Sequence, residues 1–320
     1  GMKSDDGCRV YVDGKKVIDA WTEHSVQMDE AMIKLEAGKT YKLQVEYFDN
    51  GGDCFAGLYW KAPSAGSQNV LARFGDAGKV AAECDVTVAV LGINKSIERE
   101  GQDRFSLELP VDQQEFIKEL YKVNPNTVVV LVAGSSMAVN WMDENVPAIL
   151  NAWYPGEQGG NAVAEVLFGD YNPGGRLPLT YYNSLDEIPA FDNYFVKGRT
   201  YQYFEGQPLY EFGYGLSYTK FRYKSKGVNV EQDTVKVSFE VSNTGKYDGD
   251  EVTQVYVKYP ETGTYMPLKQ LHGFKRVHIK KGKTSKVTIG VPKKDLRYWD
   301  EQERKFVTPK GEYTFMVGAS

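Results

Sequence analysis

Two carboxylates two residues apart carry the most promising chemistry in this sequence. They are Glu98 and Glu100, within Ile93-Asn94-Lys95-Ser96-Ile97-Glu98-Arg99-Glu100-Gly101-Gln102-Asp103-Arg104. A carboxylic acid beside an ionised neighbour keeps its proton to higher pH, which a general acid requires. Arg99 and Arg104 would act in the opposite sense if they lay against the acid. An acid at Glu100 therefore predicts that both arginines point away from it or pair with Glu98 and Asp103. The bland alternative is a solvated loop of mixed ion pairs, which does no chemistry.

The elements around this stretch decide where it lies. Val86 to Leu91 is an apolar run that reads as a buried strand ending at Gly92. Val111 to Val123 follows with helical periodicity, Phe116, Leu120 and Val123 on one face and Ile117 and Tyr121 beside it. The loop thus leaves the carboxyl end of a strand, where open α/β sheets bind ligands. Thr127 to Val132 is a continuous β-branched run, suited to a strand buried on both faces. Ala148 to Trp153 reads as a third strand, Gln158-Gly159-Gly160 opens a further helix stopped at Gly169, and Leu177 to Tyr181 reads as a fourth strand. The alternation predicts an α/β layered domain with a mostly parallel sheet over residues 75–225.

On either side the pattern is β. Residues 1–62 contain Arg9 to Val12, Lys16 to Ile18, the alternating Tyr41 to Tyr47, and Ala56 to Trp60, with turns at Asp13-Gly14 and Asn50-Gly51-Gly52. Residues 63–74 have the composition of a linker. Residues 226–320 alternate at Val235, Val237, Phe239 and Val241 and add strands at Val252 to Tyr259, Lys286 to Val291 and Glu312 to Val317. That stretch fits a small immunoglobulin-like β-sandwich. The whole is a multidomain α/β plus all-β chain.

Composition narrows the function classes. The 320 residues suffice for two or three domains, and the net charge is −5 with both signs mixed. No basic block is read and the pI is acidic, so no nucleic-acid partner is expected. No apolar run is long enough to span a bilayer, and no signal peptide is read within this sequence. Cys8, Cys54 and Cys84 are odd in number and widely spaced, against a disulfide framework. With three histidines and no paired-cysteine motif, no metal site or cofactor is expected. Asp5-Asp6-Gly7 is a weak calcium signal and a better turn signal. Gly134-Ser135-Ser136 lacks the elbow pattern of a serine nucleophile, and no histidine lies in that part of the chain.

Several long motifs occur together in order. They are the Glu-x-Glu-Gly-x-Asp-Arg stretch at Glu98 followed by Leu107-Glu108-Leu109-Pro110 and a Gln; Ala152-Trp153-Tyr154-Pro155-Gly156-Glu157-Gln158-Gly159-Gly160; and Val166-Leu167-Phe168-Gly169-Asp170-Tyr171-Asn172-Pro173-Gly174-Gly175-Arg176-Leu177-Pro178. Gly198-Arg199-Thr200-Tyr201-Gln202-Tyr203-Phe204 and Pro208 to Phe221 complete the set. Together they resemble the C-terminal half of glycoside hydrolase family 3, the family of β-glucosidases and β-xylosidases. Glu211 departs from that pattern, where the family usually has Pro. The segments at Asp5-Asp6-Gly7, Tyr11 to Gly14 and Leu58 to Trp60 resemble part of a protective-antigen-type β-domain inserted in some members. Gly249 to Val257 and Leu271 to Val277 resemble the fibronectin type III-like domain that closes them, where His272 would be a packing residue.

The resemblance implies an exo-acting, retaining β-glycosidase that takes an oligosaccharide or β-glycoside substrate. Such enzymes use two carboxyl groups about 5 Å apart, a nucleophile and an acid/base. In this family the nucleophile is an Asp of an N-terminal (β/α)8 barrel, a fold of about 250 residues. Only β-patterned sequence precedes Cys84, so the barrel is expected as a partner, in cis or in trans. The acid/base is implied at Glu100, directly before Gly, with Glu98 the alternative that other branches use. Asp103 and Arg104 would brace the loop. Phe55, in a Gly-rich loop of the β-insert, would be a sugar contact or a core residue. An exposed apolar patch is expected where the barrel and the opening strands of the α/β domain would dock. The family implies a bacterial source and a periplasmic or extracellular location; if the barrel is absent, the other reading is a non-catalytic carbohydrate-binding or assembly fragment.

Overall fold

The computed structural model describes every residue except 37, 52–53, 61–73, 192, 263–264 and 320. The chain divides into two compact units, Gly1–Asn69 and Val70–Ser320. Apart from Phe74, the linker expected at 63–74 lies outside the described residues.

The first unit holds two three-stranded antiparallel sheets. One orders β4 (Gln27–Asp29), β1 (Met2–Ser4) and β6 (Ala56–Leu58); the other orders β3 (Lys15–Ala20), β2 (Cys8–Val12) and β5 (Leu43–Tyr47). Its buried core is small: Met2, Cys8, Val10 and Ile18. Asp6 stands in the left-handed region at φ +60°, and its carboxylate accepts from His24 N at 3.2 Å and Asn50 N at 2.6 Å. A short polar side chain that bonds locally tolerates that backbone.

In the second unit, β7 (Thr87–Gly92), β8 (Thr127–Val132) and β9 (Ala148–Asn151) form a parallel sheet with β8 in the middle. Ala89 and Leu91 on β7, Val129 and Leu131 on β8, and Ile149 on β9 share one face. That face packs with Ala81 of α1 (Ala77–Glu83), Ile117 and Leu120 of α2 (Val111–Val123) and Met142 of α3 (Asn140–Asn145). Within α2 the buried pair is Ile117 and Leu120, while Val123 is exposed, so the core-facing stripe is rotated from the expected one. On the opposite face of β7, Val88 and Val90 are bare, at 45% and 65% exposure, and Val86 just before the strand is exposed too. This is an exposed apolar surface of the kind expected from the sequence.

Leu177 to Tyr181 does not join this sheet. Leu177 N donates to Tyr214 O, Gly213 N donates to Leu177 O, and Tyr181 exchanges two bonds with Tyr210. Pro178 has no amide proton, so a continuous ladder cannot form there. After α4 (Gly159–Phe168), Gly169 ends the helix at φ +81°, as a left-handed C-cap.

Two more three-stranded antiparallel sheets follow: β10 (Phe221–Val230), β11 (Thr234–Asn243) and β14 (Thr284–Pro292); and β13 (Gln270–Ile279), β12 (Gly249–Lys258) and β17 (Thr314–Gly318). Val235, Val237, Phe239 and Val241 point inward with period two and meet Val255, Val257, Val287, Ile289 and Val291 in one core. The short hairpin of β15 (Tyr298–Asp300) and β16 (Lys305–Val307) lies beside it in sequence. The α/β part and this β part are tied by Arg176, whose Nη2 donates to Glu251 Oε1 and Oε2 at 3.0 and 2.9 Å. Tyr223 OH donates to the same carboxylate at 3.1 Å. His272 is half-buried and lies 2.8 Å from Tyr259 OH; burial lowers its pKa.

Candidate active-site loop

The loop begins where glycine is required. Gly92 has φ +151°, and a Cβ there would meet Val132 O at 1.8 Å. Gln113, in the first turn of α2, holds this residue from the helix side. Its Oε1 accepts from Gly92 N and its Nε2 donates to Gly92 O, both at 2.8 Å. Asn94 then forms a turn, Oδ1 accepting from Ser96 N at 2.9 Å, while Asn94 O accepts from Ile97 N and Glu98 N. Ile97 packs against the α/β core, which fixes the direction of its neighbours.

Glu98 turns inward. Its Oε2 accepts from Arg104 Nε at 2.7 Å and from the Ser135 hydroxyl. Arg104 is 9% exposed at the side chain and spreads its fork over the loop that leaves β8. Nη2 donates to Ser135 Oγ at 2.9 Å and Ser136 O at 2.8 Å, and Nη1 lies 3.0 Å from Met137 Sδ. A planar guanidinium with five fixed donors suits this many-sided bracing; an ammonium does not.

Glu100 stays outside this network. Arg99 and Gln102 exchange two backbone bonds of 3.1 and 3.0 Å, leaving Glu100 and Gly101 at the tip of a tight turn. Gly101 has φ +75°, which such a turn needs at its second central position. Glu100 is exposed and makes no hydrogen bond or ion pair with the described residues. The arginine expectation is met at Arg104, which pairs with Glu98. Asp103 is exposed and makes no such contact, so the bracing falls to Arg104 and Glu98.

The ends of all three parallel strands contribute to this rim. At the end of β9, Asn151 Nδ2 donates to Tyr181 OH at 2.8 Å. Burial pushes the Tyr181 phenol up to about 12, against the pull of that bond and of the Arg104 charge. Trp153 sits at φ +55°, a conformation that costs a bulky residue about 1–3 kcal/mol. Tyr154 lies over Gly134, where a Cβ would come within 2.4 Å of its ring. The sequence around Ser135 speaks only to a nucleophile, not to its place as a partner of Glu98 and Arg104. The one available signal was its position just past a strand's carboxyl end. Phe55 belongs to the other unit. It is 36% exposed, outside that unit's buried core, and Lys3 Nζ stands 5.4 Å from its ring centroid.

Residues 15–218 match the Glycosyl hydrolase family 3 C-terminal domain, and residues 251–320 match the Fibronectin type III-like domain. The chain belongs to glycoside hydrolase family 3. It is 42% identical to the Xylan 1,4-beta-xylosidase of Xylanibacter ruminicola over 222 residues, 69% of this chain and 26% of that protein. It is 35% identical to the Beta-glucosidase of Kluyveromyces marxianus over 310 residues, 90% of this chain and 36% of that one. A crystal structure of the latter superposes on the whole chain with a TM-score of 0.73 at 31% identity, covering 40% of the solved chain. The Periplasmic beta-glucosidase of Salmonella typhimurium is 34% identical over 286 residues, 84% of this chain and 37% of that protein. The chain therefore spans well under half the length of these relatives and matches the C-terminal part of the family.

Proposed function

We propose that this chain is the C-terminal portion of an exo-acting β-glycosidase of β-glucosidase or β-xylosidase type, hydrolysing terminal non-reducing β-sugars with retention. Glu100 is its general acid/base. It gives its proton to the glycosidic oxygen as the bond breaks and takes one from water in the second half-reaction. The nucleophile comes from a family 3 barrel, in cis or in trans. One observation carries the assignment to Glu100. Glu98 is already engaged by Arg104 and Ser135, whereas Glu100 stands unengaged at the turn tip. Arg104 and Glu98 hold the loop, and Phe55 is a sugar contact from the β-insert.

The domain division follows the same reading: 1–62 a partial protective-antigen-type β-domain, 75–225 the α/β sandwich domain, 226–320 an immunoglobulin-like β-sandwich. The Salmonella relative's name supports a periplasmic or extracellular location. Among the described residues no helix is long and apolar enough to cross a membrane. The second reading, a carbohydrate-binding or assembly fragment, is favoured by the bare face at Val88 and Val90, which invites a partner.

The test is hydrolysis of aryl β-glucoside and β-xyloside by the chain alone and with the separately expressed barrel portion of the Xylanibacter relative. We expect turnover only with the barrel, and its loss in Glu100→Gln. Wild-type turnover by Glu100→Gln alongside loss in Glu98→Gln would reverse the assignment. No turnover in any mixture, although a complex forms, would favour the fragment reading.

A further inference from the structure

Two lysine-rich stretches of the C-terminal β part, far apart in sequence, meet on one surface. The first carries Lys220, Arg222, Lys224 and Lys226; the second carries Lys280, Lys281, Lys283 and Lys286. Neither contains an acidic residue. Strand pairing places them on either side of β11. Arg222 lies opposite Ser242, itself opposite Thr284; Lys224 lies opposite Glu240, itself opposite Lys286. The neighbouring residues Tyr223, Val241 and Val287 point into the core, so these rows point out of it. The turn before β14 closes onto the same end, with Asn243 N donating to Lys283 O and Gly282 N to Asn243 O. Lys220 is held there too, its carbonyl accepting from Thr244 N. All of these cations are exposed.

Glu240 is the only acid in those rows. It pairs with Lys226 at 2.9 Å, and that bond, with Lys224 and Lys286 nearby, holds its carboxyl below the usual range. Arg222, Lys224 and Lys286 make no ion pair with the described residues. On either side of the Lys224–Glu240–Lys286 row runs a hydroxyl pair, Ser242–Thr284 at 2.7 Å and Ser238–Thr288 at 2.9 Å. The face is thus basic and hydroxyl-lined, with the Asp248 carboxylate at one end accepting from Lys281 N at 2.7 Å, on a chain whose net charge is −5. The strand register joins the two basic stretches into one face.

We propose that this face binds a carboxylate-bearing polysaccharide, a β-glycan with uronic acid side groups. The unpaired cations receive the carboxylates and the Ser/Thr rows receive sugar hydroxyls. The carboxylate of Glu240 in the middle of the face disfavours a densely charged phosphate chain, whose binding rests on neutralising successive phosphates. A sparsely charged polymer meets no such penalty. Membership of a glycoside hydrolase family makes a glycan the fitting polyanion, and the proposal does not depend on which glutamate is the acid.

The test is native affinity electrophoresis of the whole chain through gels containing glucuronoxylan or the same polymer after carboxyl reduction. We expect retardation in the first gel only, weakening as salt rises from about 50 to 200 mM. The double variant Lys224→Glu, Lys286→Glu should bind roughly tenfold or more weakly, two surface charges being reversed. Lys34→Glu, Lys310→Glu carries the same net charge and should bind as the wild type. Equal retardation by both polymers, unchanged binding by the first variant, or no retardation at all would overturn the proposal. So would tighter binding to duplex DNA or to phosphatidylserine vesicles, which would assign the face to those partners instead.

Discussion

Removing the Arg104 side chain should loosen the loop that carries Glu98 and Glu100 more than the fold. Arg104→Ala deletes the ion pair to Glu98 and the donors to Ser135 Oγ and Ser136 O in one step. Breaking a fully buried pair costs about 3–5 kcal/mol. Glu98 keeps 24% side-chain exposure and the Ser135 hydroxyl, so part of its charge is recovered by water and by that bond. The expected loss is about 2–3 kcal/mol, mostly as local opening. Hydrogen exchange reads this directly. The amides of Ile97 and Glu98, bonded to Asn94 O, should exchange roughly 30- to 140-fold faster, at 1.4 kcal/mol per factor of ten. Arg104→Lys keeps the charge for Glu98 but not the fork, and should recover about half of the protection. Protection within a factor of two of wild type in Arg104→Ala would refute the bracing role and leave the loop held by its turns alone.

Three shorter expectations follow from other parts of the chain. Gly92→Ala places a methyl into Val132 O and should cost about 3 kcal/mol or more, seen as a lower urea midpoint or as insoluble protein. Arg176→Ala leaves the Glu251 carboxylate, 2% exposed, without its cation, costing about 3–5 kcal/mol; an Arg176→Met, Glu251→Leu pair should restore most of that. His272 has a folded-state pKa below its unfolded value because it is half-buried beside Tyr259, with only Asp295 pulling the other way. Its contribution is therefore present above the unfolded value of about 6.5 and is lost as pH falls from there through the folded value. Urea midpoints at about pH 7.5 and 5 should differ less for His272→Gln than for wild type; an equal difference would remove His272 from the account.

Patterns that act along the chain are legible in the sequence. The β-branched run at Thr127 to Val132 and the alternation at Val235 to Val241 specify one strand buried on both faces and one on a single face, and the structure has both. The glutamate pairing with an arginine was also legible, because both lie within one loop. Leu177 to Tyr181 failed because periodicity counts apolar residues and does not ask where their amides bond. The three-residue strands β1 and β4 are too short to show any period. Ser135 was invisible for a related reason. Its bond to Glu98 joins residues 37 positions apart, and only the parallel pairing of β7 with β8 brings their loops together.

That placement makes Ser135 the sharpest probe of whether the rim works as a unit. Its hydroxyl donates to Glu98 and accepts from Arg104, so it closes a three-membered ring of partly buried polar groups. In such a ring each bond polarises the next, and deletions do not add. Ser135→Ala alone should cost about 1.5–3 kcal/mol of local protection, the usual value for a bond to a charged group. In the background of Arg104→Lys, Glu98 keeps a cation but loses the fixed guanidinium geometry, so the Ser135 bond matters more. The combined loss should then exceed the sum of the single losses by about 0.5 kcal/mol or more, measured by exchange at the Glu98 amide. Simple additivity would mean that Arg104 and Ser135 hold Glu98 independently, and that the strand-end loops merely touch. The coupled result would mean that the strand-end loops are held as one unit around Glu98, with Glu100 and Asp103 left outside it.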